Sequence, residues 1–108
     1  MNVAGDSAKV VVENGSTITT MSVTGADAAV QAEEGAKVDK IITSAANTTV
    51  SGKGSVVNFE AAQGSSGASI TTDGTKVVNN GTGDVTTGGD NVIPSGSTGT
   101  SQSGSSTP

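Results

Sequence analysis

Apolar residues in this chain return every twenty positions: Val10, Val30, Val50 and Ile70. Glycines follow in nearly the same phase, at Gly15, Gly35, Gly54 and Gly74. Each sits in a short polar corner: Glu13-Asn14-Gly15, Glu33-Glu34-Gly35, Gly52-Lys53-Gly54 and Asp73-Gly74. Past the glycine the chain returns to apolar side chains at Ile18, Val38, Val56 and Val77, and then at Met21, Ile41 and Phe59. A weaker column reads Val23, Thr43, Ala61 and Thr82. Between corners, apolar and polar residues alternate with period two, as in Met21-Ser22-Val23, which is the signature of a strand with one buried face.

One such unit cannot bury its own apolar face, but stacked units can, each strand pairing in parallel with its equivalent one coil away. The repeat therefore predicts an all-β chain: a short parallel β-solenoid (β-helix) of about four coils of ~20 residues, with Val10, Val30, Val50 and Ile70 in one inward stack. Glycine supplies the positive φ that a corner requires. At a strand spacing of about 4.8 Å, four coils make a rod about 20 Å long, right-handed by the general crossover preference. The spacing from Val50 to Gly54 and from Ile70 to Gly74 is one residue shorter than in the first two coils. The lost residue is expected to return in Gln63-Gly64-Ser65-Ser66-Gly67, read as an outward loop.

The solenoid is expected over 1–94, with a closing segment over about 79–94 that ends at Pro94, a residue without an amide donor and suited to stop edge pairing. Residues 95–108, SGSTGTSQSGSSTP, hold no large apolar side chain and are expected as a flexible linker. Val10-Val11-Val12 lies close to the start of the chain. An unpaired edge there invites association, so further coils or another domain are expected before residue 1, the alternative being that 1–9 form a minimal cap.

Composition sharpens this picture. The 108 residues include 35 β-branched side chains (Thr, Val, Ile), no Leu, and one aromatic, Phe59. That favours extended backbone around a thin core of small side chains, and argues against a sandwich filled by aromatics. There is no Cys, His, Arg, Trp or Tyr, which excludes disulfides, Cys/His zinc sites, and Ser–His or Cys–His catalytic pairs within the chain. Net charge is −5 and the five lysines (9, 37, 40, 53, 76) are scattered, so no nucleic-acid surface is expected. No apolar run is long enough to span a membrane, and Met1-Asn2-Val3-Ala4 has neither a charged n-region nor an apolar h-region.

The candidate chemical groups are few. Glu33 and Glu34 are adjacent on a corner, where they read as solvated rather than as a glycosidase pair. Asp84 and Asp90 lie in a Gly-rich stretch that lacks the calcium-binding repeat pattern, and read as turn residues. Thr17/Thr19, Thr48/Thr49 and Thr71/Thr72 fall in different phases of the repeat, so no flat threonine column for ice is expected. Asn14-Gly15-Ser16, Asn47-Thr48-Thr49 and Asn80-Gly81-Thr82 match a glycosylation pattern at chance frequency. Asn58, Asn79 and Asn80 are expected to stack or to satisfy corner backbone groups, and Phe59 to fill the core or plug it near 63–67. No catalytic residue, metal ligand or cofactor site is expected.

The runs Gly35-Ala36-Lys37-Val38-Asp39-Lys40-Ile41-Ile42, Asn47-Thr48-Thr49-Val50-Ser51-Gly52-Lys53-Gly54-Ser55-Val56-Val57, Gly74-Thr75-Lys76-Val77-Val78 and Gly88-Gly89-Asp90-Asn91-Val92-Ile93-Pro94 resemble the β-solenoid segments of Gram-positive bacterial cell-surface proteins, which often accompany S-layer homology modules. The resemblance covers roughly residues 8–94. It implies an extracellular or cell-surface location, and a non-enzymatic structural stalk or spacer whose partners are neighbouring domains of a parent chain. The alternatives are a module that binds glycan or wall polymer, and a fragment of a polysaccharide-acting β-helix enzyme.

Overall fold

A computed structural model describes residues 2–72, 74–87 and 92–101. Among them there are strands, turns and bends and no helix. The strands are β1 (Asn2–Val3), β2 (Lys9–Val12), β3 (Thr17–Ile18), β4 (Met21–Val23), β5 (Ala29–Ala32), β6 (Lys37–Thr43), β7 (Thr49–Ser51), β8 (Ser55–Ala61), β9 (Ser69–Ile70), β10 (Lys76–Asn79), β11 (Val85–Thr87), β12 (Val92–Ile93) and β13 (Thr98–Thr100). They form two sheets. One runs β1-β4-β6-β8-β10-β13, with β3 also on β6; the other runs β12-β11-β9-β7-β5-β2. The chain alternates between the sheets and steps one strand along with each circuit, which makes a parallel β-solenoid of about four turns.

The stack predicted from the repeat is present. Val10 pairs with Val30, Val30 with Val50 and Val50 with Ile70. On the facing sheet, Met21 pairs with Ile41, Ile41 with Phe59 and Phe59 with Val77. Both columns point inward and share one core. Burial alternates at the strand period over residues 41–43 of β6 and 59–61 of β8, with a three-residue step before each from Val38 and Val56, and Val38, Ile41 and Phe59 are almost wholly enclosed.

Two positions of the repeat differ from the sequence-based alignment. Val77 lies over Phe59 rather than continuing the column of Ile18, Val38 and Val56, and Asn79, not Thr82, lies over Ala61. The cause is a taper at one corner. The path from Val10 to Met21, and from Val30 to Ile41, takes eleven residues; from Val50 to Phe59 it takes nine, and from Ile70 to Val77 seven. Two residues are thus lost in each of the last two coils, where glycine spacing suggested one. Gly52, not Gly54, carries the positive φ at the shortened corner, at 109°.

At the other corner the chain lengthens. Ala62 N–H donates to Thr43 O (2.7 Å) and Ser66 bridges Ala46. The insertion is therefore confined to Ala62–Ser65, a turn closed by Ser65 N–H to Ala62 O at 3.0 Å. Ser66 and Gly67 belong to the coil, so the outward loop is narrower than 63–67.

The linker expected over 95–108 does not begin at residue 95. Pro94 ends β12, and the chain then turns back to lay β13 antiparallel on β10, with Lys76 opposite Thr100 and Val78 opposite Thr98. β12 likewise pairs antiparallel with β11. Both sheets are closed at this end by reversed strands. Main-chain pairing needs no large side chain, which is why a Ser/Gly/Thr sequence can do it. Residues 102–108 lie outside the described residues.

Candidate functional site

The taper leaves a step on the surface. The corner Ala32–Ala36 projects, held by Ala36 N–H to Glu33 O at 2.8 Å, while the next corner, Gly52-Lys53-Gly54, is drawn in against Ala32, whose carbonyl accepts from Gly54 N–H at 2.8 Å. Between them lies an open groove of about 940 Å³ lined by Gly35, Ala36, Lys37, Gly52, Lys53, Gly54, Ser55 and Thr71. The groove continues toward Gln31, Glu33 and Glu34. It presents two ammonium groups and a glycine-rich backbone beside two carboxylates. Lys37 Nζ lies 3.7 Å from an Asp39 carboxylate oxygen, with both side chains about half exposed. Such an arrangement offers weak polar contacts to an extended polar chain. No nucleophile activated by a base is among its lining residues.

The side chains singled out from the sequence are dispersed. Glu33 and Glu34 are exposed on their corner, and Asp84 is exposed in the last coil. Asp90 lies outside the described residues. Among the described residues no group of three or more His, Cys, Asp or Glu side chains could hold a metal ion. The threonines divide as their phases predicted. Thr17 and Thr19 are exposed, whereas Thr48 and Thr72 are buried and bonded to Thr43 and Thr75, both at 2.7 Å. Thr75 in turn donates to Val56 O at 2.6 Å. Asn58 Nδ2 donates to Asp39 O at 3.2 Å.

Asn79 is the most heavily engaged. Its Nδ2 donates to Ile93 O (2.7 Å) and Gly83 O (2.9 Å), and its Oδ1 accepts from Gly81 N–H (3.0 Å). Buried at the turn into the closing strands, it satisfies corner backbone groups as expected. Phe59 is core, packed in the column between Ile41 and Val77. Every buried side-chain nitrogen or oxygen among the described residues has a hydrogen-bond partner.

One column escaped the sequence reading. Ser7, Asp27, Asn47 and Gly67 lie twenty residues apart and hold φ of 59°, 61°, 60° and 65°. Asn47 Nδ2 donates to Asp27 Oδ1 at 3.0 Å, linking neighbouring coils. Asp6 Oδ1, one residue before Ser7, accepts from Ala26 N–H at 3.2 Å. The signal was available in the spacing, because Asp and Asn tolerate this conformation better than other non-glycine residues. The four different residue types hid it.

The chain matches no protein-family model, no curated protein and no solved structure. The class defined by its strands is the short parallel β-solenoid, closed at one end by two reversed strands. Among the described residues no helix is long and apolar enough to cross a membrane.

Proposed function

We propose that the chain is a non-enzymatic structural stalk or spacer module of a secreted or cell-wall-attached bacterial surface protein. The observation that carries the reading is the continuity of the main-chain ladders. From β1 to β13 and from β2 to β12, each strand bonds to its neighbours along the axis of the stack, so axial load is shared among many backbone hydrogen bonds. The polar side chains are dispersed around the coils rather than gathered about a reacting centre. The molecule measures 34 × 32 × 20 Å, so one module adds only a short increment of length. The test is tethered pulling of the chain between two well-characterised domains. A spacer unfolds in one high-force event, and a chain that extends without a force peak overturns the reading.

A second reading rests on the groove between the Ala32–Ala36 and Gly52–Gly54 corners: a module that holds glycan or an anionic wall polymer along the step, with Lys53 as a contact. Retention on peptidoglycan or on an acidic polysaccharide resin, lost in Lys53→Gln, supports it. Flow-through at low ionic strength rejects it in favour of the spacer.

A further inference from the structure

The two ends of the solenoid differ. At the far end β12 and β13 close both sheets with antiparallel strands, and buried polar side chains (Thr72, Thr75, Asn79, Thr87 and Ser101) stand among the apolar Val77, Val85 and Ile93. At the near end, among the described residues, β2 pairs only with β5, and the residues beneath are aliphatic: Val3, Val12, and the partly enclosed Ala8, Val10 and Ile18. The hydrogen bonds fix which backbone groups of β2 face outward. Ala29 N–H donates to Ala8 O at 2.8 Å and Glu33 N–H to Val12 O at 2.9 Å. In a parallel ladder the even-numbered residues of β2 therefore turn their amides and carbonyls to β5, and Lys9 and Val11 turn theirs to the open edge, while the Glu13 carbonyl accepts from Ser16 N–H at 2.9 Å in the corner that follows.

The sequence along that edge is Lys9-Val10-Val11-Val12-Glu13. It complements itself when reversed. An antiparallel partner centred on Val11 places Val11 opposite the partner's Val11, Lys9 opposite the partner's Glu13, and Val10 opposite the partner's Val12. Val11 and its counterpart become a hydrogen-bonded pair and the Lys9 and Glu13 side chains meet across the junction, the register in which charge, apolar contact and backbone direction agree. The inner face stays valine on valine. Val11, 42% exposed, loses its open side in the pairing.

We propose that β2 is a self-association edge, at which two copies of the chain join head to head through antiparallel β2–β2 pairing about Val11. The far end of the same molecule already joins antiparallel strands to the parallel stack, so the junction strains neither sheet.

The test uses the full chain in analytical ultracentrifugation. The buried area is small, so the expected dimer is weak, with Kd on the order of 0.1–1 mM. Lys9→Glu and Glu13→Lys are each expected to weaken it about five- to tenfold by opposing like charges, and the double swap to restore it. Val11→Pro removes an outward amide and leaves the ladder to β5 intact, so it is expected to give a monomer with an unchanged far-UV spectrum. Residues paired this way have Cα atoms about 5.5 Å apart, within disulfide reach. In this cysteine-free chain, Val11→Cys is expected to form a covalent dimer on mild oxidation at least several-fold faster than Val57→Cys, an exposed valine within β8. A wild-type monomer up to about 1 mM overturns the proposal. So does a dimer indifferent to Val11→Pro, or equal cross-linking of the two cysteine variants. The covalent dimer keeps the proposal testable if the proline variant does not fold.

Discussion

Asn79 concentrates at one position what the last turn needs. Its carboxamide serves Gly81, Gly83 and Ile93, and its backbone holds the reversal, accepting from Gly96 N–H at 2.6 Å and donating to Ser97 O at 2.9 Å. Truncating it orphans two buried backbone groups and the more exposed Gly83 carbonyl, each buried one costing roughly 1–3 kcal/mol when unpaired, with partial relief from water. Asn79→Ala is therefore expected to lower stability by about 3 kcal/mol in urea unfolding, while the exposed Asn80→Ala stays within about 0.5 kcal/mol. Equal effects at the two positions would show that the carboxamide is not what holds the turn. Phe59 is the opposite kind of residue, a single large hydrocarbon in a core of small ones. Phe59→Ala is expected to cost about 3–5 kcal/mol, because Ile41 and Val77, held by their ladders on either side, cannot collapse into the space. At this scale the sequence disclosed what recurs as one residue type. Val10, Val30, Val50 and Ile70 were visible as a stack, whereas Ser7, Asp27, Asn47 and Gly67 were not, although their backbones are nearly identical. The shared property there is a dihedral angle, and several side chains satisfy it.

Strands and corners were unequally legible for a related reason. A strand facing a core must alternate, so β4 stood out as Met21-Ser22-Val23, and β2, β5 and β7 through the recurring Val10, Val30 and Val50. A corner needs only a residue able to take positive φ, and two nearby glycines cannot be told apart by composition. At the third corner the structure chooses Gly52, with φ of 109°, and an added Cβ would come within 2.1 Å of Ala32 O. Gly15 has φ of 86° but open space where its Cβ would lie. Gly52→Ala combines strain with a backbone clash and is expected to cost about 3 kcal/mol or more, against about 1 kcal/mol for Gly15→Ala. Thermal melts of the pair separate the two contributions, and similar losses would place the tight approach elsewhere. The ion pairs on these strands matter less. Lys40 Nζ and a Glu60 carboxylate oxygen are 3.5 Å apart across β6 and β8, with both side chains partly exposed. Glu60→Gln is expected to change stability by less than about 0.5 kcal/mol, and 1 M salt to leave the melting temperature nearly unchanged.

For the molecule as a whole, the closing strands decide where the stack stops. The repeat alone could not indicate this. Its period ends near Val78, and β13, which seals one sheet, has no period, no large side chain and a composition shared with linkers. What seals it is hydrogen bonding. Ser101 Oγ donates to Thr72 O and accepts from Thr75 N–H, Ser101 N–H donates to Thr75 O at 2.8 Å, and Ser95 Oγ donates to Gly81 O. A solenoid is stabilised by nearest-neighbour contacts, so its ends open first and its middle last. Among the described residues, reversed strands seal one end. Hydrogen exchange is therefore expected to be graded: slowest for amides of β6 and β8, intermediate for β10 beneath its cover, and fastest for β1 and β2. Ending the chain after Pro94 removes β13 and Ser101 and strips partners from Thr72, Thr75 and Asn79. That truncation is expected to cost about 3 kcal/mol, and to bring exchange at β10 to the rate of β1 and β2 without altering β6. Unchanged protection at β10 would mean that the reversed strand rests on the stack without closing it, and that the polar core at that end closes itself.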